Sequence, residues 1–309
     1  MTLGVLGSMV WDRIDHPDGP RVERWGGIAY SIAAAAAAAP DAWTLRPLIR
    51  LGDDLAEEAR AFFTRLPIEA SGVVEVPEKN NRVHLRYLDR QNRHEHLTGG
   101  VGPWSWQELE PRLDGLDGLY VNLVSGFELE LDTARRLRTA FHGPIYADLH
   151  SLLLGVADGG HRVPRPLARR DDWLACFDVV QVNEPELALV AGVDDPWETA
   201  ADAVRNGVAT VLVTRGPEGA TWVAARDEPR PWTERGREPL VLRGDVPVRD
   251  PWSEGDPTGC GDVWGATCFV ALLCGETVSR AVARANEVAS RNVRHQGADA
   301  LFPYLRGAT

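Results

Sequence analysis

Near the C-terminal end of the chain, Asp256-Pro257-Thr258-Gly259-Cys260-Gly261-Asp262 runs directly into Val263-Trp264-Gly265-Ala266-Thr267-Cys268-Phe269-Val270-Ala271-Leu272-Leu273. This spelling predicts a small glycine-rich turn that opens straight into an apolar helix, Gly261 to Leu273. Glycine has no Cβ to block a turn, so successive backbone N–H groups can converge. Converging N–H groups at a helix N-terminus form an anion site, aided by the helix dipole. Asp262 stands at the junction. It is either a helix cap or an electrostatically awkward neighbour of a bound anion. The task that would justify the second is to take a proton from a hydroxyl attacking a bound phosphoryl group.

The rest of the chain alternates strand and helix. Leu3 to Gly7 reads as a buried strand. The polar turn at 16–20 and a returning strand from Val22 to Trp25 suggest a hairpin. Gly26-Gly27 then opens a helix from Ile28 to Ala39, ended by Pro40. Its alanine tract suits close packing against a sheet. Strands follow at Trp43 to Arg50, Gly118 to Leu123, Pro144 to Asp148, Asp178 to Asn183, Thr210 to Thr214 and Ala220 to Ala224. Helices are expected from Gly52-Asp53-Asp54 to about Leu66 and at Trp106 to Arg112, Leu131 to Phe141, Glu184 to Ala191, Trp197 to Arg205 and Thr277 to Arg294. This spacing argues an α/β fold with a mostly parallel sheet covered on both faces. Val73 to Val76, Arg82 to Leu88 and Glu95 to Thr98 read as antiparallel strands that interrupt the pattern, with a turn at 89–93. They suggest a small separate sheet closing over a pocket. The segment from Arg226 to Glu238 is the most loop-like.

Composition narrows the class. The 309 residues suffice for one large α/β domain or two smaller ones. With 33 basic against 45 acidic residues the net charge is −12, which argues against nucleic acid or an anionic membrane as the main partner. The cysteines, Cys176, Cys260, Cys268 and Cys274, form no CxxC pair and read as packing residues. The longest alanine run is too short to span a membrane, and no leader is legible, so a cytoplasmic location is expected. GxxxxGK[ST] and GxGxxG are both missing, which speaks against a P-loop kinase and a dinucleotide-dependent dehydrogenase.

The run at 256–262 resembles the signature of the ribokinase-like (PfkB) family of sugar and nucleoside kinases, Asp-Thr-x-Gly-(Ala or Cys)-Gly-Asp followed by a helix. Pro257 replaces the usual threonine. The resemblance extends over nearly the whole chain. It implies a single three-layer α/β/α domain over 1–309, with a small β-sheet lid formed by roughly 10–26 and 72–100. It also implies that Asp262 is the catalytic base and that the amides of Gly259, Cys260 and Gly261 are the anion hole.

Other positions carry the family pattern. Asp12, after Gly7, matches the aspartate that binds sugar hydroxyls; a carboxylate makes strong bonds to vicinal hydroxyls. Gly26 and Gly27 match the glycine pair that admits the substrate and hinges the lid. Ser31 stands where the family often has asparagine, which implies a substrate contact through its single hydroxyl in place of an amide. Gly52-Asp53-Asp54 looks like the Gly-x-Asp turn, a structural feature. His150, after the strand ending at Asp148, lies at the ligand-binding end of the sheet. Asn183-Glu184-Pro185-Glu186 matches the Asn-x-x-Glu motif that organises magnesium through its waters. Thr214, Arg215, Gly216 and Gly219 match the strand ending that borders the nucleotide, and Asn286 the adenine-lining helix position. Asp256 lies near a monovalent-cation (potassium) site of some relatives.

The resemblance thus implies ATP with magnesium as donor, a small-molecule sugar or nucleoside as acceptor, and a homodimer through the lid. Asp12 favours a sugar. The runner-up is a nucleoside, with Trp11, Trp25 and Tyr30 as candidate stacking walls. A non-catalytic sugar or nucleoside sensor is the alternative outside enzymes.

Overall fold

The computed structural model describes residues 1–15, 21–87, 93–233, 240–249 and 255–307. The predicted turn at 16–20, Leu88 at the end of a predicted strand, residues 89–92 of the turn predicted at 89–93, and residues 234–238 of the loop-like stretch lie outside the described residues. The chain begins with strands β1 (Thr2–Gly7), β2 (Met9–Asp15) and β3 (Val22–Gly27), then helix α1 (Ile28–Ala38) and β4 (Thr44–Gly52). Next come α2 (Ala56–Phe63), β5 (Val73–Val76), β6 (Arg82–Tyr87), β7 (Arg93–Thr98) and α3 (Trp106–Leu109). The middle of the chain holds β8 (Gly118–Asn122), α4 (Leu131–Ala140), β9 (Ile145–Asp148), β10 (Leu154–Val156), β11 (Arg162–Pro164) and α5 (Arg170–Leu174). Then follow β12 (Val179–Asn183), α6 (Glu184–Ala191), α7 (Pro196–Arg205), β13 (Thr210–Thr214), β14 (Ala220–Ala224) and β15 (Leu242–Val246). Helices α8 (Cys260–Leu273), α9 (Val278–Asn292) and α10 (Leu301–Arg306) complete it.

Nine strands form one sheet in the order β15-β14-β13-β12-β9-β8-β1-β4-β5. Neighbours from β13 to β5 are all parallel, and β14 and β15 run antiparallel at one end. Parallel strands covered on both faces must be apolar throughout, and β8 is buried at every residue. One face carries α1 and α8, whose Ile28 to Ala36 and Val263 to Leu273 are wholly buried. The other carries Leu109, Leu137, Trp173, Leu187 and Ala200 from α3 to α7. The result is the expected three layers.

The chain moves from β1 outward to β4 and β5, then restarts at β8 on β1's other side. Such a reversal opens a crevice at the C-terminal strand ends, where α/β sheets bind ligands. Asn122, Asp148, Asn183 and Thr214 are the last residues of β8, β9, β12 and β13.

A second sheet, in the order β3-β2-β6-β7, rises beyond β1. It is mixed: β2 pairs antiparallel with β3 but parallel with β6. Val73–Val76 is not part of it. That strand extends the large sheet, parallel to β4 with Ile49 beside Val73 and Gly52 beside Val76. Four residues do not encode a direction, so the exposed sheet edge they meet decides it. Buried Asn80 joins the two sheets, accepting from Gly52 N (3.1 Å) and donating to Met9 O (2.8 Å). Asp54 holds the same junction through Asn80 N (2.8 Å) and Arg82 Nη2 (2.7 Å). Among the described residues, no helix is long and apolar enough to cross a membrane.

Candidate active site

Helix α8 starts beside the crevice. Its cap, Gly259, has φ +74°, and a Cβ there would lie 2.3 Å from the ring of Tyr30. Only glycine suits both demands. Pro257 enters the turn through its carbonyl, which accepts the Cys260 N–H at 3.1 Å. That bond closes the turn and engages the Cys260 amide, so the three amides expected to form the anion hole are not equivalent. The Cys260 thiol is pushed up to about 11 by burial and is bonded by Asn292. It is therefore a packing group, like the buried Cys176 and Cys268; Cys274 is exposed.

Asp262 lies in the first turn of α8, half-buried. Burial pushes its carboxyl up to about 6, opposed by the charge of His150 and a hydrogen bond from Asn122. Asn122 Nδ2 donates to Asp262 Oδ1 at 2.6 Å and to Ser31 Oγ at 3.0 Å. Ser31 Oγ in turn donates to the Asp262 carbonyl at 3.4 Å. Ser31 is 0% exposed. It is thus spent on the α8 junction and is not available to a substrate, contrary to the sequence expectation. Gln181 holds the same turn, donating to Gly261 O at 3.1 Å and accepting from Tyr146 Oη at 2.6 Å.

Asp12 is buried against Gly26, whose missing side chain gives it room: a Cβ there would lie 1.8 Å from Asp12 Oδ2. Opposite Asp12 in the β2–β3 register is Arg24. Its guanidinium crosses to the glycine turn and pairs with Asp256 Oδ2 at 2.7 Å. Asp256 Oδ1 accepts the Thr258 N–H at 2.9 Å. Both oxygens of the expected potassium ligand are therefore engaged, and the positive charge beside it is a side chain of the protein. Trp11 and Trp25 pair with each other, edge to face at 5.0 Å, one residue out of step with Asp12 and so on the opposite face. Trp25 and Tyr30 are at most 2% exposed; neither is an open stacking wall.

On the other side of the glycine turn is a cavity of about 310 Å³, lined by Thr214, Gly216, Gly219, Val248, Pro257, Cys260, Gly261, Trp264, Asn286, Ala289 and Val293. Four of the residues expected at the nucleotide meet there. Asn286 is among them, but its amide is committed to Trp264 Nε1 (2.7 Å) and Val246 O (2.8 Å). Arg215 is not part of the lining; it turns to Asp245 and Glu218 at 3.7 and 3.9 Å.

Asn183 and Glu186 form a reciprocal cap on α6, each side chain accepting the other's backbone N–H at 2.8 Å. The second Glu186 oxygen meets His150 Nδ1 at 2.9 Å. Burial works against the ionised glutamate, but His150 and Asn183 hold it below its ordinary value. Burial likewise works against protonated His150, yet Glu186, Asp148 and Asp262 raise it well above the usual imidazole range. His150 therefore belongs with Glu186. Buried Asp148 is pushed far up by burial and by Glu186 and Asp262. Sequence reasoning missed Asn122, Gln181, Arg24 and Asp148. The signal for Asn122 and Gln181 was an amide within a mostly apolar buried strand.

A pyrophosphate-dependent kinase in the ribokinase family, solved with sulfate, aligns over 96% of both chains at 18% identity and TM-score 0.76. A ribokinase from Thermotoga maritima aligns over 99% of this chain and 98% of its own at 17% identity and TM-score 0.75. A nucleoside kinase from Burkholderia thailandensis in complex with inosine covers 100% of this chain and 94% of its own at 18% identity and TM-score 0.76. The chain thus has the ribokinase-like α/β fold. Residues 163–304, which include the cavity wall and the glycine turn, match the family described as pfkB family carbohydrate kinase. Together these findings support the ribokinase-like PfkB carbohydrate or nucleoside kinase resemblance read from the sequence. No curated protein matches the chain.

Proposed function

We propose that the protein transfers the γ-phosphoryl group of ATP to a hydroxyl of a sugar, with Asp262 as general base. The observation that carries this reading is the position of Asp262, between a glycine turn at a helix N-terminus and the polar crevice under the small sheet. Its raised carboxyl value, about 6, suits a base working near neutral pH. The amides of Gly259 and Gly261, with the helix dipole, would stabilise charge on the transferred group. Protonated His150 adds a cation on the same side. Closure of the small sheet would exclude water from the reaction.

The cavity supports a nucleotide donor. Pyrophosphate, the donor named for one solved relative, would be held by the turn alone. The apolar walls from Trp264, Val248, Pro257 and Val293 suit a nucleobase. Magnesium fits the hard oxygen donors of Asn183 and Glu186. Since both Glu186 oxygens have protein partners, they would hold it through water. Magnesium would neutralise charge on the donor phosphates. For the acceptor, Asp12 beside Gly26 suits polyol recognition. The burial of Trp25 and Tyr30 removes the aromatic case for a base, leaving the nucleoside as the second reading. A homodimer would use the outer face of the small sheet, where Trp11, Arg13, His84 and His96 border a concavity of about 560 Å³.

The test is ADP release with ATP and magnesium, and in parallel orthophosphate release with pyrophosphate in place of ATP, each against a panel of sugars, polyols and nucleosides. Turnover of a sugar with ATP supports the reading. Turnover only with pyrophosphate overturns the donor assignment, and turnover only of nucleosides overturns the acceptor assignment.

A further inference from the structure

We infer that Asn122 is a positioning residue for the base, its side-chain amide fixing the Asp262 carboxylate at the mouth of the glycine turn. The inference rests on the phosphoryl-transfer reading above. Asn122 ends β8, 0% exposed, and its single Nδ2 bonds both Ser31 Oγ and Asp262 Oδ1. Through Ser31 the same unit also holds the Asp262 backbone carbonyl. Three elements, α1, β8 and α8, thus meet at one amide group, and both ends of Asp262 are tied to it.

The amide is poorly explained as packing. Its Oδ1 is buried without a partner, and an unpaired buried acceptor is costly to keep. A leucine of similar volume would fill the space without that cost. Turning the amide over would aim Oδ1 at the aspartate, so two acceptors would face each other. The observed orientation keeps a donor on the carboxylate, and a donor favours the ionised form that a base needs. Other groups also act on Asp262: His150, Asp148 on β9, Tyr120 on β8, Tyr30 on α1 and Cys260 on its own helix. None of the bonds that this structure gives the Asp262 side chain comes from them, so removal of Asn122 alone tests the role.

The experiment is the variant Asn122→Leu, with Asn122→Ala alongside, on the full-length protein. Asp262 is titrated by NMR of ¹³Cγ-labelled aspartate, its signal identified by loss in Asp262→Asn. The expected result is a rise of the Asp262 midpoint by about one pH unit, a tenfold change in proton affinity. In parallel kcat should fall about 10- to 100-fold, the scale of a misplaced catalytic group, with both KM values held within about twofold. Ser31→Ala, which leaves the Asn122 contact in place, should shift the midpoint far less. A folded Asn122 variant with an unmoved midpoint and unchanged kcat overturns the proposal. Failure of the wild-type protein to turn over any acceptor overturns the kinase reading instead, and the titration still decides the coupling.

Discussion

The two sides of Asp262 are built by opposite means. On the side proposed for the donor, a preformed cavity is walled by apolar surface from Pro257, Trp264, Val248, Ala289 and Val293. On the side proposed for the acceptor, charged and amide groups from distant parts of the chain are locked together. Asp12 rests on Gly26, Arg24 crosses 232 positions to Asp256, and Asn122 ties Ser31 to Asp262. An apolar wall loses little when one side chain shrinks at its rim. A buried polar network loses much when one member is removed, because the others are left unpaired. Donor binding should therefore be robust to substitution, and acceptor chemistry brittle.

The largest expected asymmetry comes from Gly26→Ala. A methyl group there collides with the Asp12 carboxylate, so kcat/KM for the acceptor should drop about 100-fold while KM for ATP is unchanged. Steady-state kinetics with each substrate varied in turn checks this; equal losses on both sides would break the comparison. pH comes next. With its folded-state value at about 6, Asp262 as the proposed base should be competent above that pH and protonated below it. kcat/KM should fall about tenfold per unit below pH 6, while nucleotide affinity, followed by fluorescence, should not follow the same curve. Arg24→Ala should cost about 2–3 kcal/mol in urea denaturation, since it strands a largely buried Asp256. The wild-type pair should also make activity independent of potassium, because Arg24 already supplies the cation beside Asp256; strong potassium activation would contradict that. The smallest effect belongs to Val248→Ala. Trimming the cavity wall should raise KM for ATP by several-fold at most, about 1 kcal/mol, with kcat retained.

The same contrast governs what the sequence made legible. The large sheet could be read because its strands, such as Gly118 to Asn122 and Val179 to Asn183, are continuous apolar runs between helices with strong periodicity. The glycine turn and its helix could be read because they are a local signal, contained within Asp256 to Leu273. The small sheet was harder. Val73–Val76 was assigned to it, although a run of four residues pairs with whichever edge it meets. The short hairpin of β10 and β11, the edge strand β15 and helix α10 carry too little pattern to announce themselves. The acceptor side was least legible, since Arg24 with Asp256 and Asn122 with Asp262 are contacts across 232 and 140 positions. The family resemblance makes Ser31 a substrate contact because it stands in place of an asparagine; only the folded chain reveals that it faces Asn122.

The most direct test of the account compares wild-type protein with Asp262→Asn in ATP turnover and ATP affinity. The carboxylate is ionised at neutral pH against the effect of burial, so its charge weighs against folding as pH rises from about 4 to 6, and the neutral variant should be at least as stable above that window. The account predicts a folded Asp262→Asn protein that binds ATP as the wild type does, with kcat lowered by about 10³-fold or more. A folded variant that keeps wild-type turnover would contradict it.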